Sequence, residues 1–221
     1  MLSFLRGSGP PVRTTNAANN PIFYEHGRSR LEFHAPNSPF LMTNAIPPTT
    51  PAQGASIMQP PLHFHIHQTE KFHVRSGTAT FWKGSGADPW LMLSSEPGQP
   101  STATVPPGTC HRFENASMTE DLVVDVQLDP EDYEAEQRFF RNFFGYLDDC
   151  RKANVEPTLF QLMVFLDSAD TPLALSLPLV NNEWLGGWVS RLFLTVMAFW
   201  GRWLLGYQTS YSEYYEPGKS R

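Results

Sequence analysis

Cysteine is scarce: the 221 residues contain two, Cys110 and Cys150. Two thiols cannot build a disulfide framework, and their spacing matches no paired C-x-x-C metal or redox motif. An intracellular, reducing compartment, cytoplasmic by default, is therefore the expectation. Charge is sparse as well, at 17% of residues, and it leans acidic: 16 Lys and Arg against 22 Asp and Glu leave a formal charge of −6. A field of that sign repels a phosphate backbone, so nucleic acid is not an expected partner. The opening Met1-Leu2-Ser3-Phe4-Leu5-Arg6 lacks the apolar run of a signal peptide, and secretion by that route is not expected. Neither a phosphate loop nor a dinucleotide fingerprint is evident.

What is present divides the chain. Sixteen of the 20 prolines lie at or before Pro130, and all seven histidines precede residue 112. Proline is poorly tolerated inside helices, so the first 130 residues read as strands and loops and the remainder as helical. Residues 1–20, rich in Gly, Pro, Asn and Ser, read as a flexible arm. Residues 21–130 alternate short apolar runs (Ile22 to Tyr24, Arg30 to Phe33, Lys71 to Val74, Thr78 to Trp82, Leu122 to Leu128) with Gly and Pro turns, the pattern of a sandwich or barrel.

Residues 131–221 form the helical extension. Asp129-Pro130-Glu131-Asp132 combines an N-cap acid, a proline for the first helical position and acids for the first turn. A helix to about Lys152 is predicted, then a second from Pro157 through Phe165 and a third from Glu183 to Leu205. The third carries Trp184, Trp188, Trp200 and Trp203, but its uncharged core, Leu192 to Gly201, is far short of the ~20 residues that span a bilayer. Arg191 and Arg202 share one face and leave the other apolar, so an amphipathic helix packed on the barrel or a partner subunit is expected, with a membrane surface as the alternative. The polar, tyrosine-rich tail after it reads as surface packing, with closure of one end of the barrel or lining of the pocket mouth as the alternative.

The chemistry concentrates in Pro60-Pro61-Leu62-His63-Phe64-His65-Ile66-His67-Gln68-Thr69-Glu70. On an extended chain His63 and His65 point the same way, and their imidazoles can share a cation. Glu70 has the opposite parity and joins them only if the chain breaks between Ile66 and Thr69. Beyond the break Glu70, Phe72 and Val74 share one side, and Lys71, His73 and Arg75 the other. A second segment, Pro106-Pro107-Gly108-Thr109-Cys110-His111-Arg112-Phe113-Glu114-Asn115, supplies one more histidine after a Pro-Gly turn.

Together these segments resemble the two motifs of the cupin superfamily. His63, His65, Glu70 and Gly77 fit the first, and Pro106, Gly108, His111 and Asn115 the second. Each opening glycine is missing: Ile57 and Pro100 stand in those places. The resemblance implies a mainly β fold, a small antiparallel jelly-roll barrel over residues 21–130, followed by the helical extension.

It also implies one divalent metal held by His63, His65, Glu70 and His111. Three imidazoles and a carboxylate suit Fe(II), which is favoured, or Mn, Ni, Cu or Zn. His67 reads as a rim residue, since a His65/His67 pair fits the motif worse. Phe72 and Phe113 face inward and, together with His67, are pocket-lining candidates. His26, His34 and His73 read as solvent-facing or structural, and Cys110 as facing away from the interior.

By the same resemblance the chain is an enzyme, an oxidoreductase of dioxygenase type in small-molecule secondary metabolism, with Glu70 as ligand or detached general base. An oxygen-independent isomerase, cyclase or lyase and a non-catalytic small-molecule binder are the alternatives. A homodimer is expected as well.

Overall fold

Alternating apolar side chains build two antiparallel sheets whose inner faces meet. The structure, a computed structural model, describes residues 11–84, 86–175 and 183–219, with side chains from Leu185 onward in the last stretch. Two compact units appear: Asn20–Tyr133, and Met1–Asn19 with Glu134–Arg221.

The β unit contains β1 (Ile22–Tyr24), β2 (Ser29–Phe33), β3 (Met42–Ile46), β4 (Thr69–Ser76), β5 (Thr78–Lys83), β6 (Leu91–Ser94), β7 (Thr102–Val105), β8 (His111–Asn115) and β9 (Leu122–Asp129). A six-stranded sheet runs β1-β2-β3-β9-β4-β7, and a three-stranded sheet runs β6-β5-β8. The five strands read from sequence are all present, and the nine together form the expected jelly roll.

β4 shows the logic best. Glu70, Phe72 and Val74 are buried, whereas Lys71 and His73 are half-buried and Arg75 is exposed. The buried set meets Phe81 of β5 and Phe113 of β8, with Phe72 edge-on to both rings at 5.0 and 5.3 Å and Phe81 stacked on Phe113 at 5.3 Å. These three rings join the sheets, and burying each contributes about 1.5–3 kcal/mol. Phe72 and Phe113, expected to line a pocket, are thus core residues packed on each other.

The β4–β5 turn requires glycine. Gly77 sits at φ +81°, and a Cβ there would lie 2.7 Å from the Asp121 carbonyl oxygen. On the outer face, Asp125 of β9 accepts from Thr43 Oγ1 at 2.6 Å and lies 3.2 Å from His73 Nδ1, while His34 Nε2 lies 2.9 Å from Thr43 Oγ1. His34 and His73 are therefore structural, in a polar row across adjacent strands.

The helical unit holds α1 (Tyr133–Lys152), α2 (Leu159–Ser168) and α3 (Glu183–Phe199), the last continued by a π-helical turn, Trp200–Leu205. Three helices were expected, but the first starts later than Asp129-Pro130 suggested. Asp129 remains in the ladder, paired with Thr69 and bound to Lys71 Nζ at 2.7 Å, so it cannot cap a helix. Thr158 caps α2, accepting from Gln161 N. Gly145 of α1 is small because the Tyr214 ring occupies the space of its Cβ, 2.6 Å away.

Residues 12–19, expected within a loose arm, are tied to this unit. The Thr14 amide and hydroxyl both donate to the Asp149 carboxylate, at 2.8 and 2.6 Å, and the amides of Asn16 and Ala17 donate to the Glu213 carbonyl. Residues 1–10 and the Trp184 side chain lie outside the described residues.

Candidate metal centre

The two motif segments meet at a single bridge. His63 and His111 exchange both backbone hydrogen bonds, at 3.0 and 2.8 Å, and the Gly108 amide donates to the His65 carbonyl at 2.8 Å. His63 and His65 thus lie on an extended segment and not in a continuous strand. The chain bends at Ile66 and His67 and re-enters a ladder at Thr69, which lets Glu70 join the histidine side despite its parity. Pro106 to Thr109 forms the turn before β8: the Thr109 amide reaches the Pro106 carbonyl at 3.3 Å and Gly108 takes φ +74°. Proline at the second and glycine at the third position favour such a turn, which brings His111 opposite His63.

His63, His65, Glu70 and His111 converge, all four buried, with one ligand atom from each within 4.8 Å of every other. Glu70 Oε2 lies 2.7 Å from His111 Nε2, 3.2 Å from His65 Nε2 and 4.0 Å from His63 Nε2. His63 and His111 turn their Nδ1 edges to carbonyl oxygens two residues back, Pro61 at 2.8 Å and Thr109 at 2.9 Å. A carbonyl only accepts, so each Nδ1 carries the proton and each Nε2 is presented inward, the tautomer a metal requires. Neither carbonyl was singled out from sequence, although a turn-forming proline shortly before each histidine was the available signal.

Below the cluster the aromatic floor comes close, with Phe72 edge-on to the His111 ring at 6.1 Å. His67 stands outside: the bend that admits Glu70 breaks the histidine row and leaves His67 exposed. Trp82 lies on the opposite face of its strand, under the Arg112 guanidinium at 3.9 Å. Asn115 is a staple for the cradle, donating to the Ile46 and Glu120 carbonyls and accepting from Ser117 N.

The electrostatics fit a cation. Burial pushes the Glu70 carboxyl up, but His65 and His111, by charge and hydrogen bonds, outweigh it and hold the group well below the usual carboxylate range. Burial pushes His111 down, but the Glu70 hydrogen bond and charge outweigh it and raise the group above its ordinary value. His63 is lowered to about 3, by burial first and then by repulsion from His111 and His65. His111 already gives its Nδ1 proton to Thr109, so its 2.7 Å contact with Glu70 needs a second proton on Nε2. A divalent metal can replace that proton, and the donor set of three imidazole nitrogens and one carboxylate fits such an ion.

No protein-family model matches the sequence. The chain is 38% identical over 167 residues to the probable oxidoreductase virH of Hypocrea virens, aligning 73% of this chain with 71% of that protein. It is 34% identical over 151 residues to the oxidoreductase iacF of Pestalotiopsis fici, aligning 63% with 71%. Among solved structures, the Cnp3 cupin domain of Schizosaccharomyces pombe is similar at 13% identity and a TM-score of 0.36, over 53% of this chain and 70% of that one.

Proposed function

The chain belongs to the cupin superfamily, in one family with the fungal oxidoreductases it matches, and on that premise we propose that it is a metal-dependent tailoring enzyme, an oxidoreductase of dioxygenase type acting on a small organic molecule. The observation that carries this reading is the convergence of His63, His65, Glu70 and His111, with Nε2 of His63 and His111 aimed inward by the Pro61 and Thr109 carbonyls. Bound Fe(II) would supply an open coordination site for oxygen and substrate.

The rest is done by this chain's own groups. The Pro61 and Thr109 carbonyls hold two imidazoles in register, so little reorganisation is needed on metal uptake. Phe72, Phe81 and Phe113 exclude water from below the centre. Glu70 supplies the one carboxylate and, when displaced from His111, can accept a proton from an acidic substrate hydroxyl. One carboxylate against a divalent ion leaves a charge of +1 in a buried place. That imbalance favours a substrate binding as an enolate or phenolate over a neutral one.

The test is metal analysis of the purified full chain, which should hold close to one transition metal per subunit. His111→Ala should lose the metal while the circular dichroism of the sheets persists, because the aromatic core does not depend on the site. Metal-free wild type after mild handling would overturn the proposal. With Fe(II) bound, enolic or phenolic test compounds should drive oxygen uptake. Full turnover under strict anaerobiosis would instead favour an isomerase, cyclase or lyase.

A further inference from the structure

Half of the ligand set stands on regular strands and half does not. Glu70 and His111 belong to β4 and β8, whereas His63 and His65 lie on an extended segment that meets β8 at the isolated His63–His111 bridge. Antiparallel pairing continued from that bridge puts Pro61 opposite Phe113 and Gln59 opposite Asn115, the positions at which a longer ladder would exchange further backbone hydrogen bonds. The ladder stops instead. Pro61 has no amide hydrogen, and its carbonyl is turned to His63 Nδ1 at 2.8 Å. The Gln59 amide is committed to the preceding turn, donating to the Ser56 carbonyl at 3.1 Å.

A side chain takes over where the backbone withdraws. Gln59 Oε1 accepts from the Asn115 amide at 2.8 Å, the bond that a ladder carbonyl at position 59 would have made. Its Nε2 donates to Thr49 Oγ1 at 3.0 Å, so both ends of the carboxamide are used and its orientation is set. Asn115 is a firm anchor, because its own side chain donates to the Ile46 and Glu120 carbonyls. Upstream, Ser56 donates to the buried Glu25 carboxylate at 2.5 Å and accepts from the Met58 amide at 3.2 Å, which holds the turn leading into Gln59.

Register is what these bonds protect. In an extended segment a slip of one residue reverses the side to which every side chain points, and it would turn His63 and His65 away from Glu70 and His111. The bridge and the Gly108–His65 bond hold the segment from His63 onward. Gln59 holds it from before.

We propose that Gln59 is a positioning residue of the metal centre: its side chain replaces the missing ladder bond to β8 and keeps His63 and His65 in register with His111. This role rests on the metal-binding reading of the four-residue cluster. The test is Co(II) titration of the chelator-treated full chain, followed by the visible absorption of the bound cobalt, with urea unfolding of the metal-free proteins alongside. Gln59→Leu keeps the bulk and removes both bonds, and it should weaken cobalt affinity about tenfold or more. It should also change the absorption bands, because a displaced imidazole alters the ligand field. Gln59→Glu keeps an acceptor for the Asn115 amide and should restore most of the affinity and the wild-type spectrum. Thr49→Val, isosteric and no ligand itself, should weaken affinity in the same direction by a smaller factor. Equal affinity and identical spectra for wild type and Gln59→Leu, whatever the change in urea stability, would overturn the positioning role and leave the metal centre standing. Equal impairment in Gln59→Leu and Gln59→Glu would overturn it too, since the acceptor would then not be what matters. Should Gln59→Leu not fold, unchanged affinity and spectrum in Thr49→Val would overturn it. Wild type that takes up no cobalt would overturn the metal-binding reading itself, and this role with it.

Discussion

The metal-free protein should lose stability in mild acid, and His63 should be the main cause. Its folded value is about 3 against an ordinary 6.5, because burial and two neighbouring imidazoles oppose its charge. A lowered histidine leaves the folded state with fewer bound protons than the unfolded chain throughout that window, so stability falls as pH falls from 6.5. For one such group the loss is about 2 kcal/mol between pH 7 and pH 5, and about 3 kcal/mol by pH 4.

The partners titrate differently. Glu70 is held low, so the stability it contributes is present above its ordinary value of 4.5 and is lost only as pH falls below that. His111 is raised, so its contribution is complete below 6.5 and is lost as pH climbs through its folded value. Of these three groups, His63 is therefore the one that sets the slope between pH 6.5 and 4.5.

Urea unfolding of chelator-treated wild type and His63→Gln across this range reads the contribution of His63 together with its coupling to the neighbouring histidines and Glu70. Wild type should lose about 2 kcal/mol more than the variant between pH 7 and pH 5. Equal slopes would refute the view that His63 is buried neutral beside a charged His111.

Two substitutions test the packing. Gly77→Ala should destabilise the β unit by about 2–4 kcal/mol in denaturant melts, combining a left-handed backbone with a Cβ 2.7 Å from the Asp121 carbonyl, whereas Gly108→Ala, also left-handed but with nothing within 4 Å, should cost about 1–2 kcal/mol. Equal costs would mean that the contact at Gly77 is relieved freely. Tyr214→Phe removes a hydroxyl that donates to Asp149 at 2.6 Å and should cost the helical unit about 1.5–3 kcal/mol, read as a lowered urea midpoint.

The parts of this molecule legible from sequence are those governed by a short period. β4 follows its alternation residue by residue, and the break that parity demanded between Ile66 and Thr69 is the bend that turns Glu70 toward the histidines. The four residues that cluster were legible through the resemblance to the two cupin motifs, whose short spacings run from His63 to Glu70 and from Gly108 to His111. What failed depended on partners far away in the chain. Asp129 had every local mark of a helix cap, yet Thr69 and Lys71, some 60 positions earlier, keep it in the sheet. Residues 12–19 had the composition of a free arm, yet Asp149 and Glu213 hold them.

The orienting carbonyls of Pro61 and Thr109 escaped for another reason: backbone oxygens carry no residue identity, so no motif spells them. They nonetheless decide which imidazole nitrogen faces inward. If substitutions that tilt the Pro106 to Thr109 turn weaken metal binding while leaving His111 in place, the turn geometry and not the histidine alone defines the site. If affinity is unchanged, the Thr109 contact is incidental and the centre is set by Glu70.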